Sequence, residues 1–376
     1  MNVIEWRRYF HRKPELSFKE FETTQQISLA LLKMNIPHFI PKEPPCVGVI
    51  GWIDGRDMGK TVALRADIDA LPIREKTKLP FASENENMHA CGHDAHIAML
   101  LCAASELEKM KTSFRGRIYL IFQPAEEIGL GSRYLMRQGE WFNQTDSVFG
   151  MHIWTPLAKG KISVEEGARM AGADRFSIKV TGRSGHSGEP NQTIDPIVCA
   201  SAMVSNLQTV VSRNTSPSDP LALSVCSIHS GTSFNVIPET ATLEGTTRYY
   251  SNDIKNGIEN HIKRIAEGTA ITYGAKAEVD FEHILDPLIN SPNASETALK
   301  AAKKIFPKDF IVKMKPTAVS EDFSFYAEKK PSCFAFLGTG SKECKFPHHS
   351  ENFLIDESVL QLGVRMHIEY ALAFLL

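Results

Sequence analysis

The order of helical and extended periods changes twice along the chain, and this constrains the fold more than any other feature of the sequence. Up to about residue 170, helical periods alternate with short β-rich runs, as in "QQISLALLKM", "GKTVALRAD", "DAHIAMLLCAASELEKM", "GRIYLIFQP" and "DSVFGMHIW". Such alternation predicts a mostly parallel sheet with helices on both faces. From 171 to 285 the order becomes strand "DRFSIKVTG", helix "DPIVCASAMVSNLQTVVS", strand "ALSVCSIHSG", strand "ATLEGTTRYY", helix "DIKNGIENHIKRIAEGTA" and strand "KAEVDFEHI". That βαββαβ order is the ferredoxin-like pattern of a small α+β domain. From 286 the first texture returns, with helix "SETALKAAKKIF", a loop-rich stretch and helix "ESVLQLGVRMHIEYALAFLL". The expectation is therefore an α/β domain over 1–170 and 286–376, interrupted by an inserted domain over 171–285. A length of 376 residues, beyond a typical single domain, agrees with this division.

Charge narrows the partners. With 42 Lys plus Arg against 44 Asp plus Glu, the chain has no field to draw nucleic acid or a membrane surface, so a small molecule is the expected partner. No apolar run approaches the roughly 20 residues of a membrane span, and "MNVIEWRRYFHRKPEL" lacks the apolar middle of a signal peptide, which places the protein in the cytoplasm. Seven cysteines without regular spacing read as reduced core residues rather than a disulfide framework.

Chemistry concentrates in "MHACGHDAH", residues 88–96. Gly92 discourages a regular helix before Asp94, a good N-cap, and an apolar helical pattern begins at Ala95. In an extended approach, Cys91 and His93 leave the same face with Cα atoms about 6.5 Å apart, close enough to share a metal ion. A buried cysteine and a helix-capping histidine would explain the pair equally well. In "LIFQPAEEIGLGS" an apolar strand ends at Pro124 and is followed by Glu126 and Glu127. Pointing different ways, one carboxylate can serve a metal and the other a proton, although a solvated turn would carry such a pair too. His152 ends another apolar strand in "VFGMHIW", either in the crevice where α/β sheets hold their sites or as a core residue. His348 and His349 stand in the Pro-bounded loop "KFPHHSENF", where one could complete a ligand set. Asp67 in "LRADIDALP" ends a strand and reads as either a support to the ligands or a turn residue.

The stretches "HRKPELSFKEFET", "LRADIDALPI", "MHACGHDAH", "QPAEE", "GMHIW", "GRSGH", "NVIP", "SEDFSFYA" and "HHSENF" occur in this order over nearly the whole chain. In them the chain closely resembles the amidohydrolase branch of the aminoacylase and carboxypeptidase metallopeptidase family, which includes N-acyl amino acid amidohydrolases, auxin-conjugate hydrolases and N-acetyldiaminopimelate deacetylases. The resemblance implies two divalent metal ions held by Cys91, His93, Glu127, His152 and His349, with Glu126 as general base. It selects His349 over His348 because the family's ligand directly precedes "S-x-x-F". A thiolate fits zinc, while carboxylate and imidazoles also accept manganese, cobalt or nickel.

The resemblance extends to the inserted domain, which it makes a lid and dimerisation domain. His186 in "GRSGHSGEP" matches a histidine that one subunit of a homodimer directs into its partner's site to stabilise the oxyanion. Asn235 in "FNVIPE" matches a residue that acts beside it, and Arg248 in "EGTTRYY" matches one that binds the substrate's carboxylate. On the residues alone, His186 could be a solvent-exposed loop histidine and Arg248 an edge-strand surface charge. After His186 the chain departs from the family, with Asn191 where a histidine is common, which bears on substrate preference. The expected activity is hydrolysis of N-acyl, foremost N-acetyl, amino acids. A dipeptidase or carboxypeptidase is the alternative, since a dipeptide shares the amide and the free carboxylate, and a non-catalytic ligand-binding relic is the reading from outside enzymes.

Overall fold

The strand Thr61–Asp67 is buried at every residue after the first, although successive side chains point to opposite faces. Both faces of its sheet are therefore covered, and the uninterrupted burial of Ile118–Gln123 and Ser332–Thr339 says the same. The structure is a computed structural model describing all 376 residues, and it separates into two compact units. The first comprises Met1–Gly167, Ile289–Lys315 and Glu321–Leu376, and the second Ala168–Leu288 and Pro316–Ser320.

The main sheet of the first unit has seven strands: β1 His38–Phe39, β2 Val49–Asp54, β3 Thr61–Asp67, β4 Arg117–Gln123, β5 Ser147–Ala158, β6 Ile162–Ser163 and β7 Ser332–Gly340, in the order β1-β2-β4-β3-β5-β7-β6. The central pairings, β4 with β3, β3 with β5 and β5 with β7, are parallel. The outer ones, β1 with β2, β2 with β4 and β7 with β6, are antiparallel, so the sheet is mixed rather than mostly parallel. Connection length explains the difference. A parallel neighbour needs a long crossover, whereas the short links after β2 and after β5 can only reverse the chain. The second is a tight turn in which Gly160 has φ +77° and Lys161 N–H bonds Ala158 O at 3.1 Å. The helices His93–Lys109, Pro292–Ile305 and Leu360–Leu375 pack on this sheet and supply Ala98, Leu101, Ala298, Val364 and Tyr370 to one apolar core. At the carboxyl end of β3 Asp67 stands opposite Gln123 on β4, whereas His152, expected to end its strand, lies midway along β5 opposite Phe336 on β7, because the strand runs on to Ala158.

In the second unit four strands form an antiparallel sheet, ordered Leu221–Ser230, Thr240–Tyr249, Gly172–Thr181, Lys276–Leu285. Burial alternates along Thr240–Tyr249, as in a sheet with one face packed. That face, with Phe176, Ile178, Val180 and Leu243, meets Met203 and Leu207 of helix Pro196–Asn214 and Ile262 of helix Asn252–Thr272. The first helix is set by Asp195, which accepts from Ile197 N at 2.8 Å, and by Pro196 in the first position, where a missing N–H costs nothing. Segment 316–320, read from the sequence as part of 286–376, belongs to this unit: Thr317 N–H bonds Arg169 O at 2.9 Å and Ala171 N–H bonds Val319 O at 3.0 Å. All seven cysteines are free, and no helix is long and apolar enough to cross a membrane.

Candidate metal centre

The helix carrying His93 starts two residues earlier than its sequence suggests. Gly92, at φ +89°, is the N-cap, and Asp94 lies within the first turn. A β-carbon at Gly92 would stand 2.2 Å from Ile153 Cδ1, so the left-handed turn fits against β5 only as glycine. This turn replaces the extended geometry expected of Cys91-Gly92-His93, yet both side chains still face one space. The donor atoms of Cys91, His93 and Glu127 all lie within 4.8 Å of one another.

Glu127 enters from the turn that follows β4. Ala125 has φ +53°, its N–H held by Glu20 Oε1 at 2.8 Å, and beyond it Glu126 and Glu127 come within 3.9 and 3.8 Å of His93 Nε2. The two carboxylates thus converge instead of pointing apart. Their surroundings still differ, because Glu127 groups with Cys91 and His93, and Glu126 with Glu321 and Asp322. His349, at φ +65°, puts Nε2 3.4 Å from Glu127 Oε2.

Backbone partners decide which imidazole nitrogens are open. His93 Nδ1 lies 3.0 Å from Asp69 O and 3.1 Å from Asp69 Oδ1, so it carries the hydrogen and Nε2 keeps its lone pair. His152 Nδ1 lies 2.5 Å from Ile153 O, which leaves Nε2 open and facing Cys91 Sγ at 3.4 Å. His96 is near enough to be counted with Asp67, His93 and His152 as a donor group, but both its nitrogens are occupied. Nδ1–H donates to Asp67 Oδ1 at 2.5 Å and Nε2 accepts from Ile153 N at 3.0 Å, so His96 orients rather than ligates.

The donor set fits a metal. His93 Nε2 and Glu127 Oε1 are buried without a hydrogen-bond partner, a rare state that a cation bound by thiolate, imidazole and carboxylate would resolve. Electrostatics agree. Burial, then Glu127 and Glu126, pushes the Cys91 thiol well above its usual range. Burial, then Glu321 and Glu127, does the same to the Glu126 carboxyl. Burial also lifts Glu127 to about 7, against the pull of His93. By itself the cluster resists carrying its full negative charge, and bound cations invert that preference.

Asp67 is a support, not a turn residue. Its Oδ2 accepts from Arg65 Nη1 at 2.7 Å, and Arg65, 2% exposed, also reaches Gln123 Oε1 at 3.0 Å, Glu321 Oε1 at 2.8 Å and Asp322 Oδ1 at 3.1 Å. The sequence reading missed Arg65, Asp69, His96 and Glu321. The available signal was the spacing of Arg65, Asp67 and Asp69 in "RADID", since alternate residues of an extended run share a face.

His186, Asn235 and Arg248 lie in the second unit. The short ladder of Gly185–His186 with Val236–Ile237 brings His186 and Asn235 together, and both are exposed. Arg248 sits on an interior strand, not an edge, and its Nη1 donates to Thr246 Oγ1 at 2.6 Å and Thr247 O at 2.8 Å.

Comparison with known proteins places these features in a family. Residues 63–373 match the model of peptidase family M20/M25/M40. The chain is 40% identical over 374 residues to N-acetylcysteine deacetylase of Bacillus subtilis, covering 99% of this chain and 97% of that one. It is 39% identical over 377 residues to thermostable carboxypeptidase 1 of Saccharolobus solfataricus, covering 99% and 95%. Among solved structures, the Bacillus subtilis YXEP protein, described as a dinuclear metal binding peptidase from the M20 family, superposes with a TM-score of 0.88 at 36% identity, covering 99% and 97%.

Proposed function

The chain belongs to peptidase family M20/M25/M40, and from that premise we propose that it hydrolyses the amide bond of N-acyl amino acids, N-acetyl compounds foremost. The observation that carries the reading is the convergence of Cys91, Glu126 and Glu127 on the unpartnered Nε2 of His93. Cys91, His93, Glu127, His152 and His349 would hold two divalent cations, zinc or manganese, which supply Lewis acidity to the amide carbonyl and lower the pKa of water from about 16 toward about 7. Glu126, buried among other carboxyls, takes a proton from the attacking water and delivers it to the departing nitrogen.

The inserted unit completes the site as a lid in a homodimer. The exposed His186 of a second copy, with Asn235 beside it, donates to the developing oxyanion, and Arg248 pairs the substrate's carboxylate with a planar fork. Mixing Glu126→Ala with His186→Ala protein under subunit exchange should then restore about a quarter of wild-type activity, since about half the dimers are mixed and each has one intact site. No recovery after proven exchange would reject the shared site. Seven free cysteines favour the reducing cytoplasm.

Removal of a C-terminal residue from a peptide is the second reading, supported by the carboxypeptidase relative at 39% identity. One experiment separates the two and tests both. Protein stripped by a chelator and reloaded with zinc or manganese is offered N-acetylcysteine, other N-acetyl and N-aromatic-acyl amino acids, N-acetyldiaminopimelate and dipeptides. The reading predicts no turnover by the stripped protein, and recovery with the N-acetyl compounds preferred. Full turnover by verified metal-free protein would sink it.

A further inference from the structure

Two histidines flank the sulfur of Cys91, and they present opposite chemistry to it. His152 Nε2, at 3.4 Å, is a bare lone pair, because Nδ1 gives its hydrogen to Ile153 O. His348 lies on the other contact, with Nδ1 3.9 Å from Sγ. Its Nε2 accepts from Thr155 N at 3.3 Å. A ring that accepts at Nε2 carries its hydrogen on Nδ1, so the atom facing the sulfur is an N–H. Two backbone groups close together on β5, a carbonyl at 153 and an N–H at 155, thus set the two rings in opposite tautomers.

The ring of His348 is held in this orientation from both sides. Trp154 stacks on it with centroids 4.8 Å apart at 27°, and Phe353 lies at 4.9 Å and 38°. From this geometry we infer that His348 is the hydrogen-bond donor to the Cys91 thiolate and not a metal ligand. The inference rests on the metal reading above. It makes His348 a positioning residue: an N–H aimed at a ligating sulfur stabilises the thiolate and draws electron density from its bond to the metal, as outer partners of ligands do. The adjacent histidines of "FPHHSENF" then divide the work, His349 toward Glu127 and His348 toward Cys91.

Cobalt(II) is the probe, because a thiolate ligand gives it a near-ultraviolet charge-transfer band whose energy follows the sulfur's electron density. In His348→Phe the band should move to lower energy and cobalt should bind about 10–100-fold more weakly, with both ions retained. His348→Asn, whose amide N–H can stand where Nδ1–H stood, should return both toward wild type. An unmoved band in His348→Phe overturns the inference, as does loss of one ion, which would make His348 a ligand. If wild-type protein binds cobalt without a thiolate band, Cys91 is not a ligand and the metal reading fails first. Should His348→Phe not fold, a long-range proton–nitrogen spectrum of the wild-type metal-free protein decides: hydrogen on Nδ1 of His348 supports the inference, and hydrogen on Nε2 overturns it.

Discussion

Asp69 gives the sharpest test of how the site is held, because one fully buried carboxylate serves two candidate ligands at once. Oδ1 lies 3.1 Å from His93 Nδ1, while Oδ2 accepts from Glu127 N at 3.0 Å and from Ser17 Oγ at 2.7 Å. In Asp69→Asn only one oxygen remains. If it faces His93, the new NH2 confronts Glu127 N–H, and if it faces Glu127, the NH2 confronts the hydrogen on His93 Nδ1. Either way one ligand loses a side-chain hydrogen bond to a charged group worth about 1.5–3 kcal/mol, although in the second case the Asp69 carbonyl, 3.0 Å away, still holds His93 Nδ1. Metal affinity should therefore fall about 10–100-fold, equivalent to about 1.4–2.8 kcal/mol. Competition against a chromophoric chelator at fixed pH measures this directly. A folded Asp69→Asn protein whose affinity stays within about threefold of wild type would refute the argument that Asp69 orients the ligands.

Gly92→Ala should destabilise the metal-free protein by about 2–4 kcal/mol in urea unfolding, combining left-handed strain with a close approach to the movable end of Ile153. A loss under about 1 kcal/mol would show that the turn relaxes freely. In the second unit, the hydrogen bonds that His283 donates to Asp174 and Asp286 raise it to about 9, with Tyr249 and Lys255 completing the network. Because the folded pKa lies above the unfolded value of about 6.5, this stabilisation is full below that pH and is lost as pH rises through about 9. Thermal unfolding of wild type should therefore fall more steeply from pH 6.5 to pH 9 than that of His283→Gln, and equal slopes would refute the assignment.

What could be read from the sequence depended on how local its cause is. Cys91, His93, Glu126, Glu127 and His152 draw attention because such residues are costly beside apolar segments without a partner, although residue type alone left a structural explanation open for each. The inserted unit was legible because the helical and extended periods change order. Long-range pairing was not. The antiparallel place of β2 beside β4 follows from a reversal whose partner lies more than sixty residues away. Asp94 reads as a cap, but its Oδ2 is taken by Arg7 Nε at 2.9 Å and His11 Nδ1 at 2.7 Å, and the turn falls instead to Gly92. Likewise His96 and His348 look like ligands by type, and only the backbone groups of Ile153 and Thr155 show that one nitrogen of each is already used.

The central claim is that adjacent carboxylates divide the chemistry, Glu127 holding metal and Glu126 moving the proton. Elemental analysis of Glu126→Gln and Glu127→Gln, read beside kcat on one N-acetyl amino acid, tests it most directly. The account predicts that Glu126→Gln keeps the wild-type metal content and loses about 10²–10⁴-fold in kcat, while Glu127→Gln loses metal. Glu127→Gln keeping its metal while Glu126→Gln loses it would contradict the account and reverse the two roles.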